Sequence, residues 1–359
     1  MKAYKLAAAL LLLGLGAVAC GGGGSVGGGV TPGKKIAFLA PDSAPRYESQ
    51  DVPLFQAKLR SLCSDCELVY RNANGDPAAQ RQQADSALAG GASVLVLDAV
   101  DPGTASVIVS AAAKKHVLVI AYDRLILNTP ELAYYVSFDN AAVGALQASA
   151  LLSAMKGAAN PTVVMIHGDP ADLEATLLKN AARGALDGKV TVAKEYDTPS
   201  GSADGAKLEM TQALAALNNK LDGVYAASDE VAGGAVSAMK AAGLKTLPPV
   251  TGGDAELSAV QRIVSGDQYM TVYRPVRQEA ETAATLAYDL VFGVRVPAEM
   301  TAGNTVDNGA RGVPAALVRP LSVTRKTLVT TVIADGFWSR SQLCTPDYAQ
   351  ACKAAGLSS

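Results

Sequence analysis

The feature that most constrains this chain is a repeat of short, uninterrupted apolar runs, each followed by a stretch of helical periodicity. From Lys34, "KIAFLAPD", "ELVYRNANG", "SVLVLDAVD" and "VLVIAYD" alternate with helical patterns over Pro53–Leu62, Gln80–Ala89 and Thr104–Lys115. The runs do not alternate apolar with polar residues, so each predicts a strand covered on both faces. That is the requirement of a parallel sheet clad in helices. After "YYVSFDN" the pattern restarts. Helices are expected over Asn140–Met155, Leu173–Leu186, Gly205–Asn218, Val231–Ala242 and Ala255–Val264, with "TVVMIHGD", "VTVAKEYD", "LDGVYAASD", "PPVTGGD" and "YMTVYRP" as strands. Val276–Phe292 reads as one more amphipathic helix, and "ALVRPLSVTRKTL" as a late strand followed by a turn. Two successive runs of similar length predict an α/β chain with two similar lobes, and 359 residues suffice for two cores.

Composition narrows the partners. Net charge is -2 and 18% of residues are charged, so there is no basic face for nucleic acid. The start of the chain reads as a targeting segment. Lys2 and Lys5 precede an uncharged run over Leu6–Val18 that ends in "GAVAC". That run has secretory length and is short for a membrane span. Small residues followed by Cys20 resemble a bacterial lipoprotein signal, in which this cysteine is lipidated, although Ala17 stands where such signals have Leu. A plain secretory signal is the alternative. "GGGGSVGGGVTPG" then serves as a flexible tether. Setting Cys20 aside leaves Cys63 with Cys66 and Cys344 with Cys352, each pair close in sequence. Outside the cytoplasm, two local disulfides are the natural reading. A redox or metal role for the single CxxC is the sharper alternative, and the sequence leaves other pairings open.

Ligands of open parallel sheets bind beyond the carboxyl ends of the strands. Those ends carry Asp42, Arg46 and Tyr47; Asp98 and Asp101; then Asp123 and Arg124. In the second run they carry Asp169, Asp172 and Glu174; Tyr196 and Asp197; Ser228, Asp229 and Glu230; then Asp254 and Arg274. Helix capping accounts for some of these acids, with Asp98 or Asp101 expected as a cap and Asp169 in a turn. Capping does not account for Arg46, Arg124 and Arg274, because a cation at a helix N-terminus opposes the dipole. A polyhydroxylated ligand suits the mixture, since each hydroxyl both donates and accepts. Signatures of enzymes are absent from the strand and helix repeat: GxGxxG and GxSxG match only within the glycine tether, over Gly22–Gly27, and no P-loop or HExxH occurs. Of the two histidines, His116 is expected at the surface, and His167 lies near enough to a strand end to touch a ligand. No cofactor or metal is implied.

Several segments in order carry a family resemblance: "NANGDPAAQRQQADSALAGGASVLVLDAVD", "VLVIAYDRLI", "YYVSFDNAAVGALQA", "AASDEVAGGAVSAM" and "GGDAELSAVQRIVSGDQYMTVYRP". From about Lys34 to Ile333 the chain resembles the periplasmic sugar-binding proteins of ABC importers, most closely the D-xylose-binding type. The resemblance implies two Rossmann-like lobes with parallel sheets joined by a three-crossing hinge, and a sugar held in the cleft. It places the crossings near Ser137–Asp139, Tyr273–Pro275 and Gly303–Val313. The organisation it implies is a lipoprotein signal over 1–20, a tether over 21–33, an N-terminal lobe over 34–138 and 274–303, a C-terminal lobe over 139–273 and 304–333, and a disulfide-pinned tail over 334–359. Carried over, Asp123 and Arg124 contact the sugar from the first lobe, with Arg46 or Tyr47 at the first-strand position where the family places polar and aromatic contacts. Glu174, Ser228, Asp229, Asp254 and Arg274 contact it from the second. Glu174 and Ser228 stand where the family has Asn, Arg274 where it has Lys, and Gly201 near its stacking Trp; Trp338, the one tryptophan, lies in the tail. Novelty of ligand is therefore expected in the second lobe, with Tyr47 or Tyr196 as the remaining candidates for stacking. The resemblance implies an extracytoplasmic, lipid-anchored monomer that delivers a monosaccharide to an ABC permease and its ATPase without catalysis. A sugar sensor docking on a membrane receptor, and an enzyme on the same scaffold, are the competing classes.

Overall fold

The computed structural model describes residues 34–42 and 46–357. The expected signal, Cys20 and the tether lie outside the described residues. The first run folds as β1 (Lys35–Ala40), α1 (Val52–Leu62), β2 (Glu67–Asn72), α2 (Pro77–Ala89), β3 (Val94–Leu97), α3 (Ser106–Ala113), β4 (Leu118–Tyr122) and β5 (Tyr134–Phe138). Local chemistry sets the boundaries. Helix α2 begins three residues before its apolar periodicity because the Asp76 carboxylate accepts from the Ala78 N–H and Pro77 occupies the first turn.

The second run supplies α4 (Asn140–Ala154), β6 (Thr162–His167), α5 (Leu173–Leu186), β7 (Thr191–Asp197), α6 (Ala203–Ala216), β8 (Gly223–Ala226), α7 (Asp229–Ala241), α8 (Leu257–Ser265) and β9 (Met270–Tyr273). Then come α9 (Val276–Phe292), α10 (Ala298–Thr301), β10 (Thr305–Asp307), β11 (Gly312–Val318) and β12 (Leu321–Thr324).

The strands form two main sheets. The first has the order β10-β11-β5-β4-β3-β1-β2, and all its pairings are parallel except the β10–β11 hairpin. The second has the order β7-β6-β8, all parallel, extended by a bridge from Val224 to Val250. A short antiparallel pair, β12–β9, stands beside it. Two readings of the sequence are corrected here. "YYVSFDN" is the strand β5 inside the first sheet, not only a boundary. Residues 305–318, expected in the C-terminal lobe, also belong to the first sheet, because β11 pairs with β5 from Ala315↔Tyr135 to Val318↔Phe138. "ALVRPLSVTRKTL" therefore splits into two strands of different sheets. The break falls at Arg319–Pro320, where Pro320 has no N–H to continue a ladder. The third crossing lies there rather than at Gly303–Val313.

Each sheet is covered on both faces. Phe38, Val94, Val96 and Ile120 pack under α1 and α9, while Ala37, Leu95, Leu97 and Val119 pack under α2 and α3. Burying each large aliphatic or Phe side chain contributes about 1.5–3 kcal/mol. In the second lobe, Val164, Ile166 and Val224 meet α6 and α7, and Val163, Met165 and Tyr225 meet α4 and α5. Glycines permit the closest helix contacts: a Cβ on Gly144 of α4 would lie 2.2 Å from the Leu178 carbonyl oxygen of α5. The cysteines are paired locally, Cys63 with Cys66 and Cys344 with Cys352. No helix among the described residues is long and apolar enough to cross a membrane.

Candidate functional site

The chain ends of β1, β3 and β4 bring a charged cluster together at one edge of the first sheet. Asp123 follows β4 directly, and its backbone is left-handed, with φ of 59°. Neighbouring β5 holds it there: Tyr135 Oη and Ser137 Oγ donate to the Asp123 carbonyl at 3.0 and 2.8 Å, and the Asp123 N–H donates to Val136 O at 2.9 Å. A non-glycine residue in this region costs of order 1–3 kcal/mol and persists only when its surroundings enforce it. The Asp123 Oδ2 atom accepts from Arg46 Nη1 at 3.1 Å, while Oδ1 is buried and has no hydrogen-bond partner.

Arg46 is the hub of this cluster. Its Nε and Nη2 grip Asp51 at 3.0 and 2.7 Å, and Nη2 also donates to Glu279 Oε2 at 3.0 Å. Burial opposes the guanidinium charge, but Asp123, Asp51 and Glu279 outweigh it and hold Arg46 well above its ordinary pKa. Arg124 reaches the Ala99 carbonyl and Asp42 at 3.2 Å each and lies 3.9 Å from Asp98. Five carboxylates, Asp42, Asp51, Asp98, Asp123 and Glu279, thus surround two guanidinium groups. Burial, reinforced by Asp123, pushes Asp98 and Glu279 well above the usual carboxylate range.

The second lobe presents the opposing half. Glu174 lies in the first turn of α5, behind the cap made by the Asp172 side chain. Arg274 follows β9, donates to Glu174 Oε2 at 3.3 Å and lies 3.5 Å from Asp254 Oδ1. Asp254 and Ala255 both have positive φ, 91° and 51°. The "GG" before them is a packing requirement, since a Cβ on Gly252 would lie 2.1 Å from Asp229 Oδ1. Glu174, Ser200, Gly201, Ser228, Asp254 and Arg274 line a depression of about 290 Å³. Depressions of about 420 and 560 Å³ lie elsewhere, one beside Leu247–Pro249 and one beside α3, away from the strand ends. The halves are within electrostatic reach. Burial chiefly, then Asp123, Asp172 and Asp254, push Glu174 up to about 7 against the opposing pull of Arg274. Burial works against the charge on Arg274, and Asp254, Glu174 and Asp123 together outweigh it.

Not every residue expected at the site faces it. Tyr47 is 2% exposed and its hydroxyl donates to Asp98 Oδ2 at 2.6 Å, so it buttresses the cluster instead of offering a stacking face. Asp229 is fully buried. Its carboxylate accepts from Gln268 Nε2, Thr271 Oγ1 and the Glu256 N–H at 2.8, 2.7 and 2.9 Å, which fixes the loop carrying Asp254 from behind. Ser228 lines the depression while its hydroxyl caps α7 through the Val231 N–H. His167 is also corrected: it is 1% exposed, pairs with Glu195 at 2.9 Å, and has its pKa lowered by burial. Asp101 takes the turn role, accepting from the Gly103 and Thr104 N–H groups, and Asp98 joins the charged cluster. Asp51 and Glu279 were missed because they lie inside helical segments and no strand end points to them.

Two α/β lobes joined by three crossings, with charged side chains gathered at facing strand ends, define the class of hinged, two-lobed solute-binding proteins. The family model described as the periplasmic binding protein domain matches residues 36–294, and the chain belongs to that family. It is 36% identical over 314 residues to the D-xylose-binding periplasmic protein of Haemophilus influenzae, covering 86% of this chain and 92% of that protein. The D-xylose-binding periplasmic protein of Escherichia coli is 34% identical over the same shares. Among solved structures, the carbohydrate transporter solute-binding protein of Chloroflexus aurantiacus in complex with D-glucose superposes with a TM-score of 0.72 at 28% identity, covering 86% of this chain and 97% of that one.

Proposed function

We propose that this protein captures a monosaccharide outside the cytoplasm and delivers it to an ABC importer, with Asp123, Arg124, Glu174, Asp254 and Arg274 as its direct contacts. The observation that carries the reading is Asp123. It is a strained aspartate whose one oxygen is held by Arg46 while the other, buried and without a partner, points to an absent donor. A sugar hydroxyl supplies such a donor, and the neighbouring Arg124 supplies the reciprocal one. Ligand contacts from both lobes favour the closed form, so closure and binding are one equilibrium. Xylose and related pentoses are the first candidates. Gly201 and Glu174 leave the second lobe more open and more acidic than the family pattern, which suits a sugar with an additional hydroxyl donor.

The permease and its ATPase are the partners in this reading, the protein acts as a monomer anchored by a lipid on Cys20, and no bond of the ligand is broken. Thermal shift followed by calorimetry against pentoses, hexoses and polyols tests it. A bound sugar at a hundred times its Kd stabilises the protein by about 2.7 kcal/mol. A panel with no response overturns the reading.

A further inference from the structure

The tail beyond β12 does more than close the C-terminus. Three of its residues reach the hinge and the Asp254 loop. Trp338 Nε1 donates to the Ala255 carbonyl at 2.7 Å, the residue next to Asp254 and the second of the two with positive φ. Asp335 accepts from the Tyr273 hydroxyl and pairs with Arg277 Nε at 3.1 Å. Tyr273 ends β9 and Arg277 lies in the first turn of α9, so this one carboxylate spans the crossing that contains Arg274. Phe337 meets the Tyr273 ring in a tilted contact at 4.9 Å and packs against Phe138, Val276 and Val318. Those three residues stand one beside each crossing between the lobes. The disulfide Cys344–Cys352 then closes the tail, and Cys352 and Leu343 share a core with Ala255 and Tyr273.

We propose that the tail is a hinge brace, in which Trp338 and Asp335 act as positioning residues that hold Asp254 and Arg274 in their ligand-ready geometry. The physical reason is the backbone at Asp254–Ala255. Two consecutive left-handed residues are unfavourable alone. Within the loop they are held by Asp254 N–H to Val272 O at 2.9 Å and Ala255 N–H to Thr271 Oγ1 at 3.2 Å. Trp338 supplies the remaining tie on the carbonyl side. Asp335 does the same for the crossing, fixing the distance between the strand before Arg274 and the helix after it.

The proposal rests on the reading of Asp254 and Arg274 as sugar contacts, and the test keeps the two apart. Trp338→Phe keeps an aromatic ring and removes the donor, and Asp335→Asn removes the negative charge facing Arg277 while leaving an acceptor for Tyr273. Hydrogen exchange of the Asp254 and Ala255 amides is measured without sugar, and sugar affinity is measured by calorimetry on the full chain. Losing one hydrogen bond accelerates that exchange and weakens binding by roughly fivefold in Trp338→Phe, with the melting temperature shifted little. In Asp335→Asn the dissociation rate rises while the association rate holds. Unchanged exchange at Asp254–Ala255 in Trp338→Phe overturns the proposal. So does a loss of affinity that only follows a loss of melting temperature. If exchange responds but the wild-type protein binds no sugar, the positioning role stands and the sugar reading falls.

Discussion

Replacing Asp123 by Asn separates what the charge does from what the backbone does. Asn tolerates the left-handed region nearly as well as Asp, so the φ of 59° survives. Arg46 keeps its bidentate grip on Asp51 and its bond to Glu279, so the buried guanidinium is not stranded. The fold therefore stays intact. The variant loses a carboxylate that accepts from the ligand, a charge-assisted interaction of about 1.5–3 kcal/mol. That corresponds to a loss of affinity of roughly 10- to 150-fold. Asp123→Ala adds the strain of a Cβ residue without a polar side chain in that conformation, about 1–2 kcal/mol, and this appears as lost stability. Calorimetry with the sugar selected by the panel, beside urea unfolding of the same samples, measures both. Affinity of Asp123→Asn within twofold of the wild type refutes the reasoning, because the buried, unpartnered oxygen would then have no ligand to serve.

Three further outcomes are expected. Glu174 has its folded pKa raised from 4.5 to about 7, so the folded chain holds that proton more tightly than the unfolded chain. Wild-type stability therefore falls relative to Glu174→Gln as pH rises between those values, and sugar affinity rises through pH 7 as the carboxylate forms; parallel pH profiles in both proteins that do not differ contradict this. Gly144→Ala forces apart α4 and α5, where the new Cβ would lie 2.2 Å from a carbonyl oxygen, and costs about 1–3 kcal/mol in urea unfolding. On the proposed lipid anchor, Cys20→Ser moves the protein from the membrane fraction to the soluble fraction, and an N-terminus without a lipid in the wild type by mass spectrometry contradicts that proposal.

How much of this was legible in the sequence follows from where each residue sits. Strands β1, β3, β4 and β6 announce themselves as apolar runs because both faces are buried. Strand β11 shows only in part: its end, Ala316–Val318, falls in the run read as a late strand, but its start, "GVPA", is small and contains Pro314, and its sheet is set only where Ala315–Val318 meet β5. A strand that joins a sheet from 180 residues away leaves no local mark of which lobe owns it. The site divides in the same way. Asp123, Arg124, Asp254 and Arg274 were legible because charge directly after an apolar run has few uses. Asp51 and Glu279 were not, since Glu279 reaches Arg46 across 233 residues of chain. Tyr47 and Asp229 were legible as polar groups near strand ends, but only packing decides that both turn inward to support their neighbours. The tail was legible as a closing segment, and its reach to Ala255 through Trp338 was not.

A crystal structure of the protein grown with the monosaccharide that binds most tightly in the panel is the most direct test. One sugar ring is expected between the lobes, with a hydroxyl donating to Asp123 Oδ1, a second held by Arg124, and Asp254 and Arg274 closing on it from the other side. A sugar seated anywhere else, or an Asp123 Oδ1 still without a donor in the bound state, contradicts it.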